Sequence, residues 1–283
     1  MIKTKSLTEN EKLHLKNNGE LSLFFVGVGS AFSKINNQTN LLIIKGDSHI
    51  LIDCGTTCPK AMWEYGCPVI DIENIFITHS HADHIGGMEE VALMSRYFTR
   101  KKPNLILIEE YKDALWNYSL KGGISFNESH NGENLKMEDI FNIKIPTLIN
   151  ELPYKIWEIN IDKINLKIFR TKHIPDSEED REKCFFSYGT VINEKVLFTS
   201  DTRFDKELIF YLLEKYKEIK IIFHDCQLFK GGVHASYSEL LTLPENIRKM
   251  TYLVHYGDNY KSTIPENDGF LGFAKQGIYY IVE

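Results

Sequence analysis

The chain lacks the features that mark membrane, secreted and avid nucleic-acid-binding proteins. None of its 283 residues lie in an apolar run approaching the ~20 residues that span a bilayer. Residues 1–20 are polar and lack the apolar centre of a secretory signal. A net charge of −6 gives no overall attraction to polyanions. These absences predict a cytoplasmic protein that has no membrane partner.

Cysteines are few and scattered. The five are Cys54, Cys58, Cys67, Cys184 and Cys226, and no C-x-x-C pair occurs among them. An odd, dispersed set excludes a disulfide framework and a zinc knuckle of paired cysteines. We therefore expect reduced thiols that mostly fill the core.

Apolar, β-branched runs between turn residues are what the chain has in abundance. They predict strands at 21–29, 40–46, 49–55, 74–80, 104–110, 164–173, 185–192, 195–201, 219–225, 251–257 and 277–283. Helical patterns occur at 86–99, 204–218 and 237–250, the last interrupted at Pro244. Two strand-rich halves with interspersed helices predict an α/β protein, an αββα sandwich, in one domain spanning 1–283. The irregular stretch 118–150 is predicted to be a lid or an insertion.

A cluster of histidines follows one predicted strand. The stretch "FITHSHADHIGG" places His79, His81, Asp83 and His84 within six positions. Imidazole and carboxylate are ligands that borderline divalent ions such as Zn²⁺ accept. This H-x-H-x-D-H turn can therefore present two residues to one ion and two to a second.

Polar residues also close four later strands. His173, Asp201, Asp225 and His255 each stand at or just after the end of an apolar run. Strand ends are where loops assemble sites in layered folds, so residues far apart in sequence can meet there. The pattern predicts that these side chains converge with the H-x-H-x-D-H turn.

The full set resembles the metallo-β-lactamase superfamily, whose hallmark is the H-x-H-x-D-H motif, over roughly residues 21–257. The resemblance implies the metallo-β-lactamase fold and two divalent metal ions, zinc or manganese. It implies that His79, His81 and His173 hold one ion, that Asp83, His84 and His255 hold the other, and that Asp201 bridges them. Asp53 in "LIDCG" is expected to support the metal loop without being a ligand.

The stretch "IIFHDCQLFKGGVHAS" resembles the ribonuclease Z branch of that superfamily. In this branch an acidic residue after a strand partners a histidine about ten residues later, and here Asp225 and His234 occupy those places. A histidine held by a carboxylate can protonate a leaving alkoxide. The resemblance therefore implies phosphodiester hydrolysis with Asp83, Asp225 and His234 as the catalytic residues.

The chain departs from tRNA-processing members of the branch. Their protruding arm is basic, whereas the segment 118–150 contains acidic Glu128, Glu133, Glu138 and Asp139. Acidic residues repel a phosphate backbone, so we expect a small phosphodiester. The chain looks similar to the cyclic-nucleotide phosphodiesterases of the branch, including the anti-Pycsar proteins, which are homodimers that cleave 3′,5′-cyclic nucleotides to monophosphates.

The resemblance further implies three substrate contacts. Ser30 lies in the "GVGSAFS" loop after the first predicted buried strand, Tyr118 is placed to stack on a base, and Lys121 is placed to meet a phosphate.

Two alternatives stay open at this point. One is a ribonuclease Z-type tRNA 3′-processing endonuclease, for which RNA would be the partner. The other is a protein that sequesters a nucleotide without turnover. A thioester or lactone hydrolase is disfavoured because neither reaction needs the Asp225–His234 pair.

Overall fold

Two eight-stranded sheets face each other in this computed structural model, which describes residues 2–8 and 11–283. In chain order the strands of the described residues are β1 (Ile2–Ser6), β2 (Leu21–Gly27), β3 (Asn40–Lys45), β4 (Ser48–Ile52), β5 (Asn74–Phe76), β6 (Asn104–Ile106), β7 (Ser129–His130), β8 (Glu133–Asn134), β9 (Asn142–Lys144), β10 (Thr147–Asn150), β11 (Ile156–Ile161), β12 (Ile164–Arg170), β13 (Tyr188–Ile192), β14 (Val196–Phe198), β15 (Ile221–Asp225), β16 (Thr251–Val254), β17 (Gly272–Phe273) and β18 (Ile278–Val282). The α-helices are α1 (Cys58–Glu64), α2 (Ala82–Ile85), α3 (Met88–Met94), α4 (Glu109–Leu115), α5 (Lys121–Ile124), α6 (Met137–Ile140), α7 (Lys206–Lys215), α8 (Tyr237–Leu240) and α9 (Glu245–Arg248).

The strand order confirms the αββα sandwich. The first sheet runs β1-β18-β2-β3-β4-β5-β6-β9 and the second runs β10-β11-β12-β13-β14-β15-β16-β17. In each sheet the strands at one side pair antiparallel and the strands at the other side pair parallel. The parallel part runs from β4 to β9 in the first sheet and from β14 to β17 in the second. Loops that follow parallel strands gather at one edge.

Aromatic side chains join the two sheets. The ring of Phe25 on β2 lies 4.9 Å from that of Phe223 and 6.2 Å from that of Phe198, both on the second sheet. All three are buried, and this apolar layer fixes the two sheets against each other.

Every predicted strand overlaps an observed strand, whereas elements with weaker patterns were missed. The missed elements are β1, β7 to β11, β17 and the helices α1, α2, α4, α5 and α6. β1 and β10 are largely exposed edge strands whose side chains give little apolar signal. Within residues 2–8 and 11–283, we find no helix with the length and apolar character needed to cross a lipid bilayer.

The segment 118–150, predicted to be a lid or insertion, has two parts. Its last residues form β9 and β10, which extend the two sheets at one side of the sandwich. The preceding part contains α5, the β7–β8 hairpin and α6. Whether this part moves as a lid stays a prediction.

Candidate metal centre

The candidate site lies where strands of both sheets end. Asp53 follows β4, His79 follows β5, His173 follows β12, Asp201 follows β14 and His255 follows β16. Two of these strands belong to the first sheet and three to the second. The site therefore spans the edge of the sandwich where the two sheets meet.

Three non-glycine residues here adopt left-handed backbone conformations. The φ angles are 65° at Asp53, 51° at Ser200 and 60° at His255. Such conformations cost about 1–3 kcal/mol each and persist only where the surroundings impose them. In each case the chain turns sharply at a strand end, and this turn brings a polar side chain into the site.

The first ligand group consists of His79, His81, His173 and Asp201, whose ligand atoms lie within 4.8 Å of one another. Nδ1 of His81 lies 3.1 Å from Nε2 of His79 and 3.1 Å from Nε2 of His173. Oδ2 of Asp201 lies 3.7 Å from the His79 Nε2 and 3.8 Å from the His173 Nε2. Three imidazole nitrogens and a carboxylate thus face a common centre.

The second group consists of Asp83, His84, Asp201 and His255. Nε2 of His84 and Nε2 of His255 each lie 3.3 Å from Oδ2 of Asp201. They lie 3.3 Å and 3.1 Å, respectively, from Oδ2 of Asp83. Asp201 belongs to both groups, so the structure brings together all seven residues of the set implied by the resemblance.

These residues fit two divalent cations. Both carboxylate oxygens of Asp201 and Nε2 of His84 are buried and have no hydrogen-bond partner within the described residues. Leaving buried polar atoms without partners is costly, and cations at the two centres would satisfy them. The donor set of nitrogen and carboxylate oxygen suits zinc and related ions.

Outer hydrogen bonds orient two of the imidazole rings, those of His173 and His84, so that Nε2 faces inward. Nδ1 of His173 donates to the carbonyl oxygen of Val233 at 2.9 Å. Nδ1 of His84 lies 2.7 Å from Oδ2 of Asp53. A partner on the second nitrogen fixes both the tautomer and the ring orientation of a metal-binding histidine.

Burial favours the neutral form of the histidines in the first group. It lowers the pKa of His173 to about 4 and the pKa of His79 well below its usual value. Neutral imidazoles keep the lone pairs that metal binding requires.

Asp53 anchors the metal-binding turn from behind. Its Oδ1 accepts the backbone N–H of Thr78 at 2.8 Å, and its Oδ2 accepts the Thr78 hydroxyl at 2.7 Å. The hydroxyl of Ser200 donates to Oγ1 of Thr78 at 3.0 Å, which links the strand end before Asp201 to the strand end before His79. Thr78 and Ser200 were not predicted from the sequence, although each directly precedes a predicted ligand.

We expect the substitution Asp53→Asn to weaken metal binding about 10–100-fold. An amide cannot accept hydrogen bonds at both of its side-chain polar atoms, so the contacts to Thr78 and His84 cannot all be kept. Metal affinity measured by chelator competition tests this, with Asp47→Asn as the control because the Asp47 side chain is 77% exposed. Equal affinities of the two variants would rule out this role of Asp53.

Asp225 and His234 form a hydrogen-bonded pair beside the two ligand groups. Nδ1 of His234 lies 2.8 Å from Oδ2 of Asp225, which also accepts the backbone N–H of Thr202 at 2.9 Å. The His234 ring stacks on that of His255, with 4.7 Å between the centroids. Its side chain is 20% exposed, whereas that of Asp225 is fully buried.

Ser30 begins a loop that is tightly held beside the second ligand group. Its backbone N–H donates to the carbonyl oxygen of Tyr256 at 3.1 Å, one residue after His255. The carboxylate of Asp258 accepts from the Ser33 hydroxyl at 2.5 Å and from the Lys34 backbone N–H at 2.9 Å. The loop is thus fixed at the edge of the site.

Tyr118 lines a groove that borders the H-x-H-x-D-H turn, together with Ser80 and Gly86. Its side chain is 83% exposed. Lys121 is not among the residues that line this groove. The structure therefore places Tyr118 near the metal-binding turn and gives no such position to Lys121.

Comparison with solved structures defines the class of the fold. A metallo-β-lactamase fold protein from Bacillus subtilis, YhfI, superposes with a TM-score of 0.64 at 14% identity, covering 94% of this chain and 100% of that one. The short form of human tRNase Z superposes with a TM-score of 0.61 at 16% identity, covering 91% of this chain and 98% of that one. The chain is a metallo-β-lactamase fold protein, as predicted.

The family follows from the sequence comparison. The family model for the anti-Pycsar protein Apyc1 matches residues 21–280. An anti-Pycsar protein Apyc1 of Paenibacillus harenae is 37% identical over 252 residues, covering 88% of this chain and 94% of that protein. The anti-Pycsar protein Apyc1 of Bacillus phage vB_BsuM-Goe3 is 37% identical over 264 residues, covering 90% of this chain and 96% of that protein. The chain belongs to the anti-Pycsar protein Apyc1 family, which confirms the resemblance noted from the sequence.

Proposed function

We propose that the chain is a metal-dependent phosphodiesterase that hydrolyses 3′,5′-cyclic nucleotides to nucleoside monophosphates. The observation that carries the proposal is the Asp225–His234 pair, held 2.8 Å apart at the edge of two adjoining ligand groups. Membership of the anti-Pycsar family supports a nucleotide as the ligand. We also propose that the chain acts in the cytoplasm, as expected from the sequence.

Seven side chains would hold two divalent ions, zinc or manganese. They are His79, His81, Asp83, His84, His173, Asp201 and His255. Bound ions of this kind polarise a phosphoryl oxygen as Lewis acids and lower the pKa of water.

Asp83 would orient the attacking water, and His234 would supply the proton of the leaving group. Burial raises the pKa of Asp83, but His84 and His255 outweigh burial and hold the pKa below its usual value. The ionised carboxylate can therefore accept a hydrogen bond from the water, and the proton that the water loses passes to solvent. Burial lowers the pKa of His234, but Asp225 outweighs burial and raises the pKa, which favours the protonated ring. The water oxygen bonds to phosphorus, the bond to one ribose oxygen breaks, and that oxygen takes the proton of His234.

The fold of the acidic segment supports a small substrate. Glu128 pairs with Arg96 at 2.5 Å, and Glu138 pairs with Lys112 at 2.6 Å. These contacts hold the segment against α4 and the turn after α3. Such an arrangement offers neither the reach nor the charge of an arm that grips transfer RNA.

The exposed rim of the site supports the expected homodimer. The aromatic side chains of Phe32, Tyr118 and Phe229 are 86%, 83% and 65% exposed and stand on segments that adjoin the site. Large exposed aromatic residues around a site are typical of surfaces that bind a partner. Light scattering on the purified chain should give twice the monomer mass of 32.8 kDa.

Incubation with a panel of cyclic mononucleotides and, separately, with precursor tRNA tests the proposed reaction. We expect nucleoside monophosphates as products and intact tRNA. Trimmed tRNA with unreacted cyclic nucleotides would favour the ribonuclease Z-type endonuclease. Tight nucleotide binding without any product would favour a sequestering protein.

A further inference from the structure

The groove beside the metal-binding turn contains a carboxylate that the proposed reaction does not use. The groove has a volume of about 270 Å³, and its lining includes Ser80, Gly86, Glu89, Tyr118 and Gly123. Ser80 lies between His79 and His81, so the groove begins at the metal-binding turn itself. The volume is sufficient for a nucleobase.

Gly123 leaves room for the Glu89 carboxylate. A Cβ atom built on Gly123 would overlap Oε2 of Glu89, with no other residue as near. The carboxylate therefore rests directly on the backbone of α5, at the second glycine of the Gly122–Gly123 pair. Any larger residue at 123 would displace it.

Glu89 has no cationic partner within the part of the chain that the structure describes. Arg96 pairs with Glu128 and Lys112 with Glu138, and Lys121 at the start of α5 does not line the groove. An uncompensated negative charge next to a phosphate-binding site opposes the binding of the phosphate. A carboxylate accepts hydrogen bonds and donates none, so it favours a ligand that presents N–H groups in the groove.

We propose that Glu89 selects cyclic nucleotides whose base carries an amino group, so that cytosine is preferred to uracil. This inference rests on the proposed function. The exposed ring of Tyr118 offers a face on which a base can stack, and Glu89 then accepts a hydrogen bond from the exocyclic amine. Uracil presents a carbonyl oxygen at the same place, and its lone pairs meet those of the carboxylate.

The ratio of kcat/KM for cytidine and uridine 3′,5′-cyclic monophosphates tests the inference, because the two bases are nearly isosteric. We expect the native chain to favour the cytidine substrate, and Glu89→Gln to lower the ratio about tenfold, since the amide can donate to the uracil oxygen. Glu90→Gln is the matched control and should leave the ratio unchanged, because Glu90, like Glu89, is exposed on α3 but does not line the groove.

Gly123→Ala is a second, independent variant. Its methyl group would move the Glu89 carboxylate without removing it, and we expect the ratio to fall in the same direction. If both substrates are hydrolysed and neither variant changes the ratio, the role of Glu89 is wrong while the proposed function stands. If the native chain hydrolyses neither substrate, the proposed function is wrong and this inference falls with it.

Discussion

Asp201→Ala is expected to abolish hydrolysis, with a loss of at least about 10³-fold in kcat, and to remove bound metal. Two ligand groups contain residues of the H-x-H-x-D-H turn, and each has four members. Among the described residues, Asp201 is the one side chain that belongs to both. Its two oxygens are buried and have no other partner within the described residues. Removing this carboxylate deprives both centres of a ligand and leaves the buried imidazoles without its negative charge.

Metal content by elemental analysis and thermal stability measure this effect without relying on turnover. Metals that bind only the folded state raise Tm, so chelation should lower the Tm of the native chain more than that of the variant. Asp113→Ala is a suitable control because Asp113 is exposed on α4. A variant that keeps two metals per chain and full activity would contradict the site.

His234→Ala is expected to lower kcat by about 10²–10⁴-fold while both metals stay bound. His234 lies in neither of the two groups that contain the H-x-H-x-D-H residues, and its Nδ1 is engaged by Asp225. The remaining ring nitrogen is free to donate a proton to the leaving ribose oxygen. His130→Ala, on the exposed β7–β8 hairpin, is the control.

A substrate with a better leaving group separates proton donation from a structural role. A p-nitrophenyl phosphodiester releases a phenolate that needs no proton, so we expect His234→Ala to recover most of its activity on it. Asp225→Asn should resemble His234→Ala, because residues that act as a unit do not have additive effects. An equal loss on both substrates would exclude His234 as the proton donor.

The sequence was most informative where periodicity and motif agreed. The eleven predicted strands are long or flanked by turn residues, and each overlaps an observed strand. The H-x-H-x-D-H turn is short, so its four polar residues are close together whatever the rest of the chain does. The edge strands β1 and β10 were missed because exposed side chains leave no regular apolar pattern, and the missed helices, of four to seven residues, are too short to show a helical period.

Residues whose role depends on a distant partner were not predictable in the same way. Thr78 and Ser200 are ordinary hydroxyl residues until two strand ends place them 3.0 Å apart. In the sequence, Glu89 is one of two acidic residues that favour the first turn of α3. Only its close contact with Gly123 in the folded chain distinguishes it from Glu90.

The amino-acid sequence by itself determined the alternation of strands and helices and the polar residue types at the strand ends, because periodicity and local spacing are properties of the chain alone. Only the tertiary structure decided that Asp201 faces both ligand groups, that Asp225 holds His234, and that Glu89 borders the metal-binding turn. These relations join positions up to 176 residues apart, from His79 to His255, and they exist only once the two sheets have packed and their strand ends meet at one edge.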